Sequence, residues 1–535
     1  MSRKNKQDSL VRGTVILAAA MFTTKVLGSI YRIVISRTIG DFGFGIFDKV
    51  YPIYTMLLII GITGIPVAIS KLVAEKRVEN KPQVADYIFK VALKVSFFLG
   101  LLGTGLLIVS ARLIANYAVD APETYYSILA VAPAIFVVFV MASYRGYFQG
   151  HRRMAPTAIS QLVEQTIKVI ATVGMIYLLL PYGDQFGAAG AISGTFFGAV
   201  GGLIVILVIY YRFQRNKTYD RVSNEVDLPS FRQTVRRIFA LALPVTFGSL
   251  VLPLMRSVDA GLITRRLEVA GYTYQQATSI FGQFGYALTL FRFPTVVAAS
   301  LAMNLVPNIS EADTLENNQV LKKRIAKAFR LVLYATIPAS VGLFILARPL
   351  CRLIFTNEQA GVPLRFLALG VIAVGIQQIT TSILQGFNRP QLPARNLLIG
   401  VLLNAGLNYY LTAIPELGIR GAALGTISGF TLAAGLNLVS LGKIIKPQFD
   451  YLSLVGKPLF SGVGMGGLVY FAYHQTQRLF KWNLGSTLGA VLTGIISYTL
   501  ILLLVGGIKK EDVEPIPKIG NKLAAILDNL GLVRG

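Results

Sequence analysis

Residues 187–211 read GAAGAISGTFFGAVGGLIVILVIYY, twenty-five positions without one charged side chain. A helix rises about 1.5 Å per residue, so ~20 apolar residues cross the ~30 Å hydrocarbon of a bilayer. This stretch therefore reads as a membrane-spanning helix. Its opening returns later in the chain: Gly187-Ala188-Ala189-Gly190-Ala191-Ile192-Ser193-Gly194 is echoed by Gly421-Ala422-Ala423-Leu424-Gly425-Thr426-Ile427-Ser428-Gly429. A second echo lies just upstream, where Phe148-Gln149-Gly150 is matched by Leu384-Gln385-Gly386. The two echoes are displaced by 234–235 and 236 residues. Small residues recur in membrane helices anyway. Two echoes holding register over such an interval point to duplication.

Outward from this stretch, the whole chain has the same character. It has 535 residues, 54% hydrophobic and 14% charged, with a mean hydropathy of +0.61. Soluble domains carry about 25% charged residues. The fold class expected is therefore an all-α polytopic membrane protein. Apolar runs suggest about fourteen spans, near 14–37, 50–71, 87–110, 125–147, 157–180, 187–211, 238–262, 279–308, 328–347, 363–386, 394–413, 420–442, 454–474 and 485–507. Pro133, Pro244, Pro253 and Pro294 fall inside spans, where they kink a helix without ending it.

The echoes divide this series into two pseudo-symmetric six-helix bundles plus two C-terminal helices. The expected segments are an N-terminal bundle at 1–211, a basic loop at 212–237 and a second bundle at 238–443. Two extra spans follow at 444–507, then a tail at 508–535. Ile516, Ile519, Leu523, Ile526 and Leu530 have roughly helical spacing, so the tail reads as an interfacial helix or a solvated segment. Six-span repeats enter and leave on one side, so an axis along the membrane normal relates them, and a substrate path would lie between them.

Charge orients the chain. The formal net charge is +26, from 51 Lys and Arg against 25 Asp and Glu. With bases at span ends counted in their loops, 33 fall in one set of alternate segments, 11 in the other and 7 inside spans. The positive-inside rule then places both termini in the cytoplasm. Bases dispersed in short loops argue against a nucleic-acid partner. Cys351 stands alone and His151 and His474 are far apart, so neither a disulfide nor a His-based metal site is expected. The basic N-terminus precedes an apolar stretch broken by Lys25 and Arg32, with no A-x-A-like cleavage site, so it reads as a retained first span.

Ionisable residues within spans are costly and mark function or pairing. Lys25 and Arg32 share a face of the first span, Arg256 and Asp259 lie three apart in the seventh, and Arg292 adjoins Pro294 in the eighth. Glu164 and Lys168, four apart, suggest an internal ion pair. Lys25, Arg32, Arg256 and Arg292 have only Asp259 as an anion in their own spans. Such an excess of cations suits a cavity for an anion, since Arg grips phosphate bidentately. Snorkelling or pairing of the same residues is the competing reading. No phosphate loop, H-E-x-x-H or G-x-S-x-G motif is present, so neither an ATP engine nor an enzyme is indicated. Coupling would fall to an ion gradient or the membrane potential.

Lys25-Val26-Leu27-Gly28, followed by Arg37-Thr38-Ile39-Gly40, resembles the first-helix signature of the MurJ-type lipid II flippases. Phe291-Arg292-Phe293-Pro294 and Val306-Pro307-Asn308-Ile309-Ser310 resemble the eighth helix of that family. Over nearly the whole chain the pattern is similar to the YtgP- and SpoVB-like branch of the MOP exporter superfamily. The resemblance implies a flippase of the bacterial cytoplasmic membrane that moves undecaprenyl-pyrophosphate-linked sugars, chiefly lipid II, by alternating access. It also implies cavity arginines on the pyrophosphate, a lipid-tail groove formed by the two extra spans, and cell-wall synthesis machinery as a partner.

Carried over by position, Lys25 stands where the family has an arginine. The next family arginine falls on Tyr31, with Arg32 one position later. The second-helix arginine has no counterpart among Tyr54, Thr55 and Met56, which leaves Arg256 and Arg292 to compensate. Some members bind sodium between helices seven, eleven and twelve. Asp259, Asn404, Asn408 and Thr426 stand at those places here, an Asn replacing one carboxylate. Apart from that ion, no cofactor is expected. The alternatives are a flippase for another undecaprenyl-linked glycan, a cation-coupled multidrug exporter of the same fold, and a non-transporting scaffold for cell-wall enzymes.

Overall fold

A computed structural model describes residues 3–215, 228–303, 305–314, 318–445, 450–480 and 482–508; at Lys25 the description is limited to the backbone. The tail at 511–535 and the middle of the 212–237 loop lie outside the described residues. What is described is helix joined by short turns, so the chain is an all-α polytopic membrane protein. Among the described residues, eleven helical stretches are long and apolar enough to cross a membrane. The end of the first expected span and the whole of the second fall within one of these runs, Ile30–Val78. The eighth and eleventh fall on helices outside that set.

By its contacts the chain forms two units, Met1–Arg265 with Thr273–Gly282, and Arg266–Tyr272 with Gln283–Gly535. The first contains α1 (Arg3–Ile59), α2 (Ile65–Val78), α3 (Pro82–Leu113), α4 (Thr124–Gly150), α5 (Ala155–Leu179), α6 (Asp184–Arg215) and most of α7 (Phe231–Val269). Helix α8 (Tyr274–Met303) begins in the first unit and continues in the second. The second unit goes on with α9 (Leu305–Thr314), α10 (Asn318–Ile345), α11 (Ala347–Phe355), α12 (Gly361–Gly386), α13 (Gln391–Leu411), α14 (Ile419–Ile444), α15 (Lys457–Phe480) and α16 (Asn483–Leu504). Pro133, Pro244, Pro253 and Pro294 lie inside α4, α7 and α8 without ending them.

One boundary differs from the sequence reading. Residues 38–49 were expected to connect the first two spans. Instead α1 breaks only at Gly40, whose φ of 67° and ψ of −173° no residue with a Cβ adopts readily. Helix resumes at once. Phe44, Phe47, Tyr51 and Tyr54 then recur at helical spacing, and this run is buried, with Phe44, Ile46, Phe47 and Lys49 at 0% exposure. A single glycine thus does the work of an expected loop.

The two echoed motifs prove to be packing seats. A Cβ added to Gly150 would lie 2.8 Å from the Val73 side chain and 2.9 Å from the Ser70 carbonyl. At Gly386 it would lie 2.8 Å from Ile309 and 3.2 Å from the Val306 carbonyl, and every partner is displaced by the same 236 residues. On α6, Gly190, Gly194 and Gly198 press on Met175, Thr172 and Glu164 of α5. On α14, Gly421, Gly425 and Gly429 press on Leu411, Asn408 and Gly400 of α13. Here the partners again differ by 236 but the glycines by 231, one helical turn from the motif register of 234–235. Glycines recurring every turn fit equally well after a one-turn slide, so similarity of strings alone could not fix that register.

In the second unit α15 and α16 dock on α10. Gly462 and Gly466 of α15 meet Ile337 and Val341. The Tyr334 hydroxyl donates to the Gly507 carbonyl, and Lys457 Nζ donates to the Gly506 carbonyl at 2.8 Å.

Candidate substrate sites within the two units

In the first unit the break at Gly40 sets Arg32, eight residues before it, against Asp48, eight residues after. Their side chains form an ion pair and are 13% and 11% exposed. The guanidinium also lies 5.2, 5.9 and 5.8 Å from the ring centroids of Phe44, Phe47 and Tyr51. Arg32 is therefore not the uncompensated cation the sequence suggested, because its counterion had been assigned to a loop. Lys49, counted there as a loop base, is fully buried, with Nζ 3.4 Å from Thr278 Oγ1 and 5.2 Å from the Tyr274 ring.

A polar cavity of about 290 Å³ opens between α1, α2, α4, α5 and α6, lined by Tyr51, Tyr54, Arg145, Gln149, Gln161, Glu164, Gln165 and Lys168 among others. Glu164 forms its ion pair with Arg145 at 2.7 Å and not with Lys168, as the spacing had suggested. Arg145 Nη2 also donates to Ser160 Oγ at 2.8 Å, and that hydroxyl donates to the Gly202 carbonyl at 2.9 Å. The Lys168 ammonium, 7% exposed, lies 4.4 Å from the Tyr31 centroid and 5.3 Å from that of Tyr51. Ring faces attract a cation but do not neutralise it. Among the described lining groups, the buried Gln161 Oε1 has no hydrogen-bond partner. The cavity can thus receive an anionic or hydrogen-bonding group.

The other expected residues are more dispersed. Arg256 and Asp259 approach to 3.9 Å on α7, with side chains 17% and 2% exposed. Arg292 is exposed on α8. In the second unit Asn404 and Asn408 are fully buried on α13 against Gly429 and Gly425, beside Thr426, whose hydroxyl donates to the Ala422 carbonyl. Asp259 belongs to the first unit. Among the described residues, no group of three or more His, Cys, Asp or Glu could hold a metal ion. Sequence reasoning missed Asp48, Lys49 and Arg145 because all three sit at the edges of apolar runs. The aromatic spacing from Phe44 to Tyr54 was the signal that helix continued there.

The second unit holds an apolar groove of about 590 Å³. Its walls are Phe293 and Pro294 of α8, Pro338 and Gly342 of α10, Leu350 and Ile354 of α11, Met465 and Val469 of α15, and Val491, Gly494 and Ile495 of α16. Such a lining offers dispersion and hydrophobic contact with almost no hydrogen bonds, which suits a hydrocarbon chain.

A family model described as polysaccharide biosynthesis protein matches residues 10–313, and one described as MatE matches 281–410. Stage V sporulation protein B of Bacillus subtilis (strain 168) is 29% identical over 516 residues, covering 96% of this chain and 99% of that protein. Lipid II flippase MurJ of the same organism is 28% identical over 442 residues, 79% of this chain and 80% of its own. A solved structure of lipid II flippase MurJ in an inward closed conformation superposes with a TM-score of 0.69 at 18% identity, over 91% of this chain and 98% of that one.

Proposed function

Since the chain belongs to the polysaccharide biosynthesis protein family, within the MurJ- and SpoVB-like branch of the MOP exporter superfamily, we propose that it flips an undecaprenyl-pyrophosphate-linked glycan, lipid II, across the cytoplasmic membrane by alternating access. Members of this superfamily are translocases, not catalysts. The observation that carries the reading is the groove. The two helices beyond the repeat supply one wall of it, which gives them a task that a soluble substrate would not require. The candidates for head-group contact are the cations Lys25, Arg256 and, once released from Asp48, Arg32 in the first unit, and Arg292 in the second.

The proposed topology has both termini in the cytoplasm. Moving Lys49 and Arg145 out of the loops leaves 32 bases against 10, so the charge argument stands. The proposed organisation is six spans, six spans and two, and the like seating of Gly150 and Gly386 supports it. Coupling draws on the membrane potential, at ~2.3 kcal/mol per charge per 100 mV, or on a sodium gradient.

The test is leaflet distribution. Cells depleted of the protein should accumulate lipid II on the inner leaflet. Wild type should restore export, whereas Gly494→Trp, which fills the groove, should not. Unchanged distribution after depletion in cells with no second flippase overturns lipid II as substrate, and another undecaprenyl-linked glycan would be assayed next. The MatE match over 281–410 favours a second reading, a cation-coupled exporter. Export of organic cations, untouched by Gly494→Trp, would establish that one instead.

A further inference from the structure

Helix α11 follows α10 after a single residue, Leu346, and has two distinct faces. Leu350 and Ile354 face the apolar groove. Arg348 and Arg352, one turn apart, line a separate cavity of about 360 Å³. Gly361, at the start of α12, is seated on Arg348: a Cβ there would fall 2.6 Å from the Arg348 Cα. This contact brings in Arg365, one turn further along α12, whose guanidinium lies 4.6 Å from the Phe344 centroid and lines the same cavity. Helix α15 closes the far side with Tyr470 and His474, their rings 4.1 Å apart.

Three guanidiniums thus share one concavity with a single carboxylate, Glu358. Among the described residues none of the three has a carboxylate within salt-bridge distance. Like charges one helical turn apart repel, and an arginine cluster with one carboxylate for three charges is suited to a phosphate, which it can grip bidentately. The adjoining wall of α11 opens on hydrocarbon-like lining. Only an amphiphilic anion satisfies both faces of this short helix.

We propose that Arg348, Arg352 and Arg365 form a docking site for the phosphate of an anionic lipid whose chain lies in the adjoining groove. This rests on the groove reading and on the proposed topology, which puts the α10–α12 connection on the outer face. That connection holds three bases, the most of any segment assigned outside. The positive-inside rule disfavours them there, and a ligand would account for their retention. The site would then be the station at which a flipped lipid phosphate rests before release.

The test is hydrogen–deuterium exchange of the full chain in detergent micelles, read at 347–355, with geranylgeranyl pyrophosphate, inorganic pyrophosphate or neutral geranylgeraniol as probe. The lipid pyrophosphate should protect α11. The exposed-residue variant Arg348→Gln/Arg352→Gln/Arg365→Gln should need about tenfold more probe for the same protection. The single variant Arg352→Gln, checked for a native elution profile, should show a smaller loss. Equal protection by inorganic pyrophosphate overturns the lipid commitment in favour of a free anion. Protection that survives the triple variant, or that geranylgeraniol reproduces, overturns the site. Arginine-dependent protection in a protein that flips no lipid II would sink the substrate reading and leave this site standing.

Discussion

The pairing of Arg32 with Asp48 separates two pictures of the molecule, and a double-mutant cycle measures the difference. With side chains only 13% and 11% exposed, both charges are largely removed from water. Breaking a buried pair by deleting one partner strands the other, at a cost of about 3–5 kcal/mol. Asp48→Leu should fall in that range, because it removes the Arg32 counterion, and the three ring contacts that remain beside the guanidinium, each worth about 0.5–2 kcal/mol, do not replace a carboxylate. Replacing both by apolar residues of similar volume removes charge and counterion together and should cost about 0–2 kcal/mol, since buried pairs often exchange for hydrophobic ones with little loss. The coupling between the sites should therefore be at least about 4 kcal/mol. The assay is reversible unfolding in mixed detergent micelles, followed by helicity, on wild type, Asp48→Leu, Arg32→Met and the double variant. Additive single effects, or an Asp48 variant within about 0.5 kcal/mol of wild type, would refute the reasoning. Arg32 would then be an uncompensated cation, as the sequence had suggested.

Four further outcomes follow from the packing and the cavities. Gly425→Val should destabilise by about 1–3 kcal/mol, because even a Cβ would meet Asn408 Oδ1 at 2.0 Å; Gly174→Ala, with open space around it, should be neutral in the same unfolding assay. Glu164→Gln leaves Arg145 without its carboxylate in the polar cavity and should lower flipping in proteoliposomes more than it lowers unfolding stability. Arg256→Ala and Arg292→Ala should each reduce export of the lipid-linked substrate in depleted cells; full rescue by both would count against a cationic head-group site. In a Cys351→Ser background, a cysteine at Glu79 should react with a membrane-impermeant maleimide only after the membrane is opened, and one at Glu416 in intact cells; the reverse pattern would invert the topology.

Much of the fold was legible because a bilayer demands long apolar runs, and such runs leave an unambiguous trace in sequence. The edges were not legible. Asp48, Lys49 and Arg145 lie where apolar runs fade, and a charge beside a span reads as a loop when hydropathy is the only guide. Whether Asp48 is solvated or paired depends on a chain reversal at Gly40, and that depends on one backbone angle. The groove was anticipated from resemblance, but its walls come from four helices distant in sequence, α8, α10, α15 and α16, with α11 added. No string property announces a concavity of that kind.

The contact registers support a further step. With α4 and α5 related to α12 and α13 by 236 residues, the places of Arg145, Ser160, Glu164 and Lys168 are taken in the second unit by Thr381, Asn396, Gly400 and Asn404. The first unit fills these places with an ion pair and a buried ammonium. The second fills them with a neutral network, in which Asn396 Nδ2 donates to Asn437 Oδ1 at 2.9 Å and Asn437 Nδ2 donates to Thr380 Oγ1 at 3.1 Å. Both solutions satisfy much of the buried polarity, so packing alone does not require charge at this position. Charge in a bilayer costs free energy that the amide network avoids, so its retention in one unit is best explained by a ligand that meets it there. The glycine seats of the two units are alike while their polar contents differ. That difference makes the charged cavity of the first unit a further candidate for head-group contact. If so, exchanging Lys168 for Asn, as the second unit has at Asn404, should preserve folding and abolish flipping. A Lys168→Asn protein that flips at the wild-type rate would show that the charge is only structural.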